Sequence, residues 1–246
     1  MKKSIAAAAL AIGVASSAQA VEVNWIDWTG SDNTNGFTAY GTITSDGETI
    51  DVVYNNPQGV GFIQTGTGAN YFGYSGDSPY TSEGPNGNSN DPTPAEMIAL
   101  RYAGTQTLTF SQTVQNLYYS YVSMNGNGYR YSQDFEILSN TGQNWDGTGN
   151  DGRGYFGSGP VVRVDNNDGT YSLNAISGEP HGTILFTDTF DTLTWQSLTN
   201  EYWNGFTIGV EGTDAQVPDP VPLPAAAFLL IGGLGSLAAL GTRRTS

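Results

Sequence analysis

The chain has 246 residues, with 23 acidic and eight basic side chains, one histidine and no cysteine, and a formal net charge of −15 at pH 7. That balance excludes a general nucleic-acid binder, because too little positive charge is present to neutralise phosphates. Disulfide staples and Cys/His metal centres are excluded too, so stability must come from a packed core.

Met1-Lys2-Lys3, the apolar stretch Ile5 to Val14 and the small-residue exit Ala18-Gln19-Ala20 read as a secretory signal over residues 1–20. Signal peptidase would cut after Ala20, leaving a mature chain that starts at Val21. Between Val21 and Pro220 four arginines (Arg101, Arg130, Arg153 and Arg163) face all 23 acids, which leaves about −19 and no lysine. The plain reading is solubility in a salty medium, where screening shortens self-repulsion. Anionic lipid or acidic polysaccharide would need bridging cations. About 195 residues, 21–215, suffice for one domain with a real core.

Within that stretch the apolar pattern alternates with period two. Thr107-Leu108-Thr109-Phe110, Phe135-Glu136-Ile137, Val162-Arg163-Val164 and Phe206-Thr207-Ile208-Gly209-Val210 each bury one side. Leu117 to Met124 carries Tyr119 and Tyr121 on one face and Tyr118 and Val122 on the other, a strand covered on both sides. Ser45-Asp46-Gly47-Glu48 is expected to join Tyr40–Thr44 to Thr49–Tyr54, and Asn167-Asp168-Gly169 to join Val161–Val164 to Tyr171–Ile176, because Asp-Gly supports the positive φ of hairpin turns. Ile184–Phe186 and Leu193–Trp195 are expected to form another strand pair. Thr93-Pro94-Ala95-Glu96 predicts a short helix through Leu100, with Thr93 as N-cap and Glu96 closing a capping box. Ser78 to Asn90 reads as a surface loop. The fold expected is all-β, a jelly-roll-like β-sandwich.

Residues 216–246 differ in kind. Asp214 to Pro220 reads as a stalk, followed by Val221-Pro222-Leu223-Pro224-Ala225. Between Pro224 and Arg243 lie 18 uncharged residues, including Phe228, Leu229, Leu230 and Ile231. As a helix they extend roughly 27 Å, enough for a thin hydrocarbon core. Arg243 and Arg244 form a basic stop that the positive-inside bias places in the cytoplasm, so the bulk of the chain would face outward. The two prolines keep the motif extended and outside the helix.

This three-part tail resembles the VPLPA variant of the PEP-CTERM sorting signal. The resemblance implies recognition by an exosortase, a membrane-embedded cysteine transpeptidase. That enzyme would cut near the motif and transfer the protein to an envelope or exopolysaccharide acceptor. The body is also similar to exported PEP-CTERM proteins of unassigned function, through Trp25-Ile26-Asp27-Trp28-Thr29, Phe110–Val114, Gly178–Phe186 and Glu201–Gly209. That family supplies no catalytic residues to carry over. The expectation is an exported protein, membrane-anchored and then at the cell surface or in the matrix, structural or adhesive among exopolysaccharide or in a biofilm, and not an enzyme. The alternative is a carbohydrate-binding module or glycoside hydrolase acting on that polymer.

Candidate chemistry is sparse. His181 lacks a Gly-x-Ser-x-Gly partner and suits a turn position bonded to backbone. Among 23 acids no pair stands out for glycoside hydrolysis. Asp146-Gly147-Thr148-Gly149-Asn150-Asp151-Gly152 clusters hard oxygen donors, so calcium, if held anywhere, would use Asp146, Asn150 and Asp151. Five tryptophans and 14 tyrosines offer sugar-stacking faces, though most are expected in the core.

Overall fold

The computed structural model describes residues 20–84, 86–144, 146–149 and 151–213, and contains no helix among them. Ala18, Asn150, the sorting motif Val221–Ala225, the apolar segment and Arg243-Arg244 lie outside the described residues. In chain order the strands are β1 (Asn24–Trp25), β2 (Asp27–Asp32), β3 (Phe37–Ser45), β4 (Glu48–Asn56), β5 (Phe62–Thr65), β6 (Tyr74–Ser75) and β7 (Glu96–Leu100). The 19-residue β8 (Gly104–Val122) occupies mid-chain. It is followed by β9 (Gly128–Tyr131), β10 (Glu136–Asn140), β11 (Gln143–Asn144), β12 (Arg153–Gly154), β13 (Val161–Asp165) and β14 (Tyr171–Ala175). The last three are β15 (Gly182–Phe186), β16 (Phe190–Ser197) and β17 (Asn204–Thr213).

Strands form where the alternation demands them. In β3, Phe37, Ala39, Ile43 and Ser45 point inward, and β4 answers with Ile50, Val52, Tyr54 and Asn56. The turn between them is the expected one. Asp46 and Gly47 have φ of 51° and 85°, the pair of positive values a tight hairpin needs, and Ser45 faces Glu48. The β13–β14 hairpin also falls where expected, but with a longer turn. Its positive φ values sit at Asn167 and Gly169, and the Asp165 and Asp168 carboxylates each accept a backbone N–H two residues on, from Asn167 and Thr170.

All strand pairings are antiparallel, and nearly all strands join one large sheet that β8 divides into two layers. Its first half pairs with β4 through Thr107–Phe110 and with β16 through Gly104–Val114. Its second half pairs with β15 through Leu117–Tyr121 and with β17 through Val114–Val122. One layer thus runs β11-β10-β15-β8-β17, with β7 and β1 sharing the far edge of β17. The other runs β2-β3-β4-β8-β16-β9-β14-β13. Rings from the two layers meet between them: Tyr54 and Trp195 each lie 5.3 Å from Phe206, Tyr119 lies 5.7 Å from Trp195, and Tyr131 lies 5.0 Å from Phe186. Such edge and tilted contacts add to the gain from apolar burial.

The two faces expected for Leu117–Met124 are present. Tyr119 and Tyr121 enter the central core, while Tyr118 packs with Val23, Leu138 and Leu185, and Val122 with Phe72, Tyr80 and Met97.

Three expectations are corrected. Thr93–Leu100 is not a helix: Glu96–Leu100 is β7, fully buried and paired with both β5 and β17. Ala95 has a φ of 59°, which no helix accommodates, and the Glu96 carboxylate accepts the Trp28 N–H at 2.8 Å instead of capping. A five-residue apolar strand covered on both faces lacks the alternation that would distinguish it from a helical turn. Second, β15 and β16 do not pair with one another, because each takes a different half of β8. Third, Ser78–Asn90 is partly interior: Tyr80 and Asn88 are fully buried, and Asn88 Nδ2 donates to the Tyr80 carbonyl at 2.7 Å.

Candidate functional site

Four turns converge on one cleft. Ser123, at φ 56°, and Asn125 begin the turn that ends β8, and the Asn125 N–H donates to the Ser123 carbonyl at 2.8 Å. Tyr155 and Phe156 project from the bend after β12, closed by Gly157 N–H to Gly154 carbonyl at 3.1 Å. Glu179 is fixed by its N–H to the Ser158 carbonyl, and Glu201 by its N–H to the Arg101 carbonyl, both at 3.1 Å. Tyr202 and Trp203 then lead into β17. Ser123, Asn125, Phe156, Glu179, Glu201, Tyr202 and Trp203 bound a cavity of about 270 Å³.

One wall is aromatic. Trp203 lies 4.9 Å from Tyr71, 5.2 Å from Phe62 and 5.3 Å from Phe156, and Tyr155 continues the row at 4.8 Å from Phe156 and 5.1 Å from Tyr71. Unlike the core rings these reach water: Phe156 is 45% exposed, Tyr155 53% and Tyr202 84%. Planar faces held rigid by neighbours and open to solvent can stack on sugar rings or attract cations.

The other wall is acidic. Both carboxyl oxygens of Glu201 are shut off from solvent without a hydrogen-bond partner of good geometry. Burial, reinforced by the nearby Glu179 charge, pushes Glu201 up to about 8, although the Asn204 side chain and Asn125 backbone pull the other way. At neutral pH Glu201 therefore holds its proton. Ser123 Oγ donates a close hydrogen bond to Glu179 Oε2. The ion pairs among the described residues, Arg130–Asp168 and Arg163–Asp134, belong to other strands and turns.

A second, larger hollow of about 760 Å³ borders the Asp146 loop, bounded among others by Ala20, Asp77, Ser78, Glu83, Asn144 and Asp146. Asp146 Oδ1 accepts from the Thr148 N–H at 2.9 Å and its hydroxyl at 2.6 Å, and these bonds hold the carboxyl below its usual range. Asp151 Oδ1 accepts the Asp77 N–H at 3.1 Å. The two carboxylates thus shape the loop backbone, and among the described residues no three His, Asp or Glu side chains gather as a metal-holding group.

His181 is completely buried, and its ring bonds Tyr80 Oη at 2.9 Å instead of backbone. Burial drives it down to about 3, so it stays neutral across the physiological range. Gly154 packs directly on that ring, where an added Cβ would come within 2.3 Å of Cγ.

Sequence reasoning passed over Glu179, Glu201 and the Trp203 row. The local signals, acids at the turns Gly178-Glu179-Pro180 and Asn200-Glu201-Tyr202-Trp203, lie 22 positions apart and only the fold joins them. No protein-family model, curated protein or solved structure matches this chain.

Proposed function

We propose that this is an exported cell-surface or extracellular-matrix protein of structural or adhesive role, which holds an extracellular polysaccharide through the cleft at Trp203. On this reading signal peptidase removes residues 1–20, the apolar C-terminal helix holds the chain in the membrane, and an exosortase acts at Val221–Ala225. The observation that carries the polysaccharide contact is the solvent-open pair Tyr155 and Phe156, with Phe156 packed on half-buried Trp203 beside polar groups. The sorting step rests on the motif, apolar run and Arg243-Arg244 occurring in order. The finer fold reading is a jelly-roll-like β-sandwich, supported by the two ring-packed layers around β8. Calcium held by Asp146, Asn150 and Asp151 is proposed on the strength of the oxygen-rich sequence of that loop.

Deleting Val221–Ala225 should leave the protein in the inner membrane at unprocessed mass; delivery to the surface at unchanged mass would overturn the sorting step. A second reading, hydrolysis of the polymer, is favoured by a protonated Glu201 near Glu179, the acid-plus-carboxylate pairing that glycosidases use. Release of reducing ends from polysaccharide, lost in Glu201→Gln, would replace adhesion by cleavage. Binding without release keeps adhesion.

A further inference from the structure

Taking the polysaccharide reading as its base, we infer that the Trp203 cleft selects a sugar carrying a free ammonium group, an unacetylated hexosamine unit of a cationic polymer. Its ring face would lie on Phe156 beside Trp203, and its ammonium against Glu179.

Four observations converge on that ligand. The two carboxyl groups share one small cavity, and the ion pairs formed among the described residues lie elsewhere. An arriving ammonium would give the Glu179 side chain a counter-charge that no ion pair among the described residues supplies. Both Glu201 oxygens are shut off from solvent, so the direct contact falls to Glu179, whose carboxyl group also accepts a hydrogen bond from Ser123 Oγ. The opposite wall is aromatic: Phe156, 45% exposed and set at 77° against half-buried Trp203, offers a ring to the apolar face of a pyranose and favours a cation through its quadrupole. The volume, about 270 Å³, falls just below the usual range of small-molecule sites, roughly 300–1,000 Å³, and suits one ring better than a long chain segment.

The charge of the whole chain points the same way. With −15 overall and no lysine between Val21 and Pro220, the domain repels acidic polymers and attracts basic ones. A neutral N-acetylated sugar would use the aromatic wall but leave Glu179 without a counter-charge. An anionic sugar would be opposed by Glu179 and by the net charge of the chain.

The test is calorimetric titration of the full chain in detergent micelles with short glucosamine oligomers, with N-acetylglucosamine oligomers of equal length, and with lysine oligomers of equal charge. The expected result is binding of the free-amine sugar at least about tenfold tighter than either control. Glu179→Gln, which keeps an acceptor for Ser123 Oγ, and Tyr202→Ala, at a position 84% exposed, should each weaken it by about tenfold. Equal binding of the acetylated and free-amine sugars, unchanged in Glu179→Gln, would overturn the ammonium assignment while leaving the polysaccharide reading in place. Lysine oligomers binding as tightly as glucosamine oligomers, with no effect of Tyr202→Ala, would reduce the attraction to general acidity and overturn it too. Failure of both sugars to bind would remove both readings.

Discussion

The molecule holds two clusters of aromatic rings built from the same residue types and packed at the same spacings. Between the layers, Tyr54, Tyr119, Trp195 and Phe206 sit 5.1–5.9 Å apart where they touch, and each is 0–1% exposed. At the cleft, Tyr71, Tyr155, Phe156 and Trp203 sit 4.8–6.0 Å apart, yet Tyr155 and Phe156 face water. The first cluster is placed by long paired strands, the second by bends between them. Ring chemistry alone therefore does not separate stability from recognition. What separates them is whether a second layer covers the ring.

The sharpest way to break that contrast is to remove one ring from the core cluster and one from the rim of the cleft. Trp195→Ala should cost roughly 3–5 kcal/mol in chemical denaturation, through lost burial and the cavity left between the layers. Tyr202→Ala, 84% exposed at the cleft, should change stability by no more than about 0.5 kcal/mol while still weakening sugar binding. Comparable losses of stability would show that the cleft rings belong to the core after all.

A smaller effect separates the two regions by pH. Glu96, buried beneath β2, is raised to about 7 chiefly by desolvation, and Glu201 at the cleft to about 8. A carboxyl whose folded value exceeds its unfolded one binds its proton more tightly in the native state. Stability is then full below the ordinary carboxyl range and falls as pH rises from about 4.5 through about 7 and on to about 8. Thermal melts across that window should show a declining midpoint. Glu96→Gln, which keeps an acceptor for the Trp28 N–H, should reduce the slope between about 4.5 and about 7, and Glu201→Gln should reduce it across the whole window and remove it above about 7. A midpoint that rises across the window would contradict the burial of both groups.

The smallest expected change comes from calcium. A calcium-bound loop at Asp146 would raise the melting midpoint by mass action, relative to chelator at matched ionic strength. An unchanged midpoint at saturating calcium would reduce Asp146 and Asp151 to the backbone-shaping role of their hydrogen bonds to Thr148 and Asp77.

Much of the framework was legible from local pattern. The Asp46-Gly47 hairpin, the two-faced strand around Tyr119 and the paired strands at Val161 and Tyr171 each depend on neighbours in sequence, and period two or turn chemistry reveals them. Met97-Ile98-Ala99-Leu100 misled because complete burial erases alternation, and the Thr-Pro-x-Glu spacing before it mimics a cap. Neither the partners of β15 and β16 nor the joining of Glu179 with Glu201 could be read, because both depend on where a 19-residue strand sends its neighbours. That is a long-range property, and periodicity carries no trace of it.

The placement of β17 has a mechanical consequence. The chain leaves the described domain from this strand, toward the segment read as its tether. β17 is an interior strand: it is registered against β8 from Gly205↔Val122 to Thr213↔Val114, and its other edge is held by β7 and β1. Tension along the chain from that end pulls β17 lengthwise past its neighbours. The backbone bonds on both sides then share the load together, in shear, where an edge strand peeled from its tip would give them up one after another. A domain tethered in this way can bear drag on a bound polymer without opening from the end by which it is held.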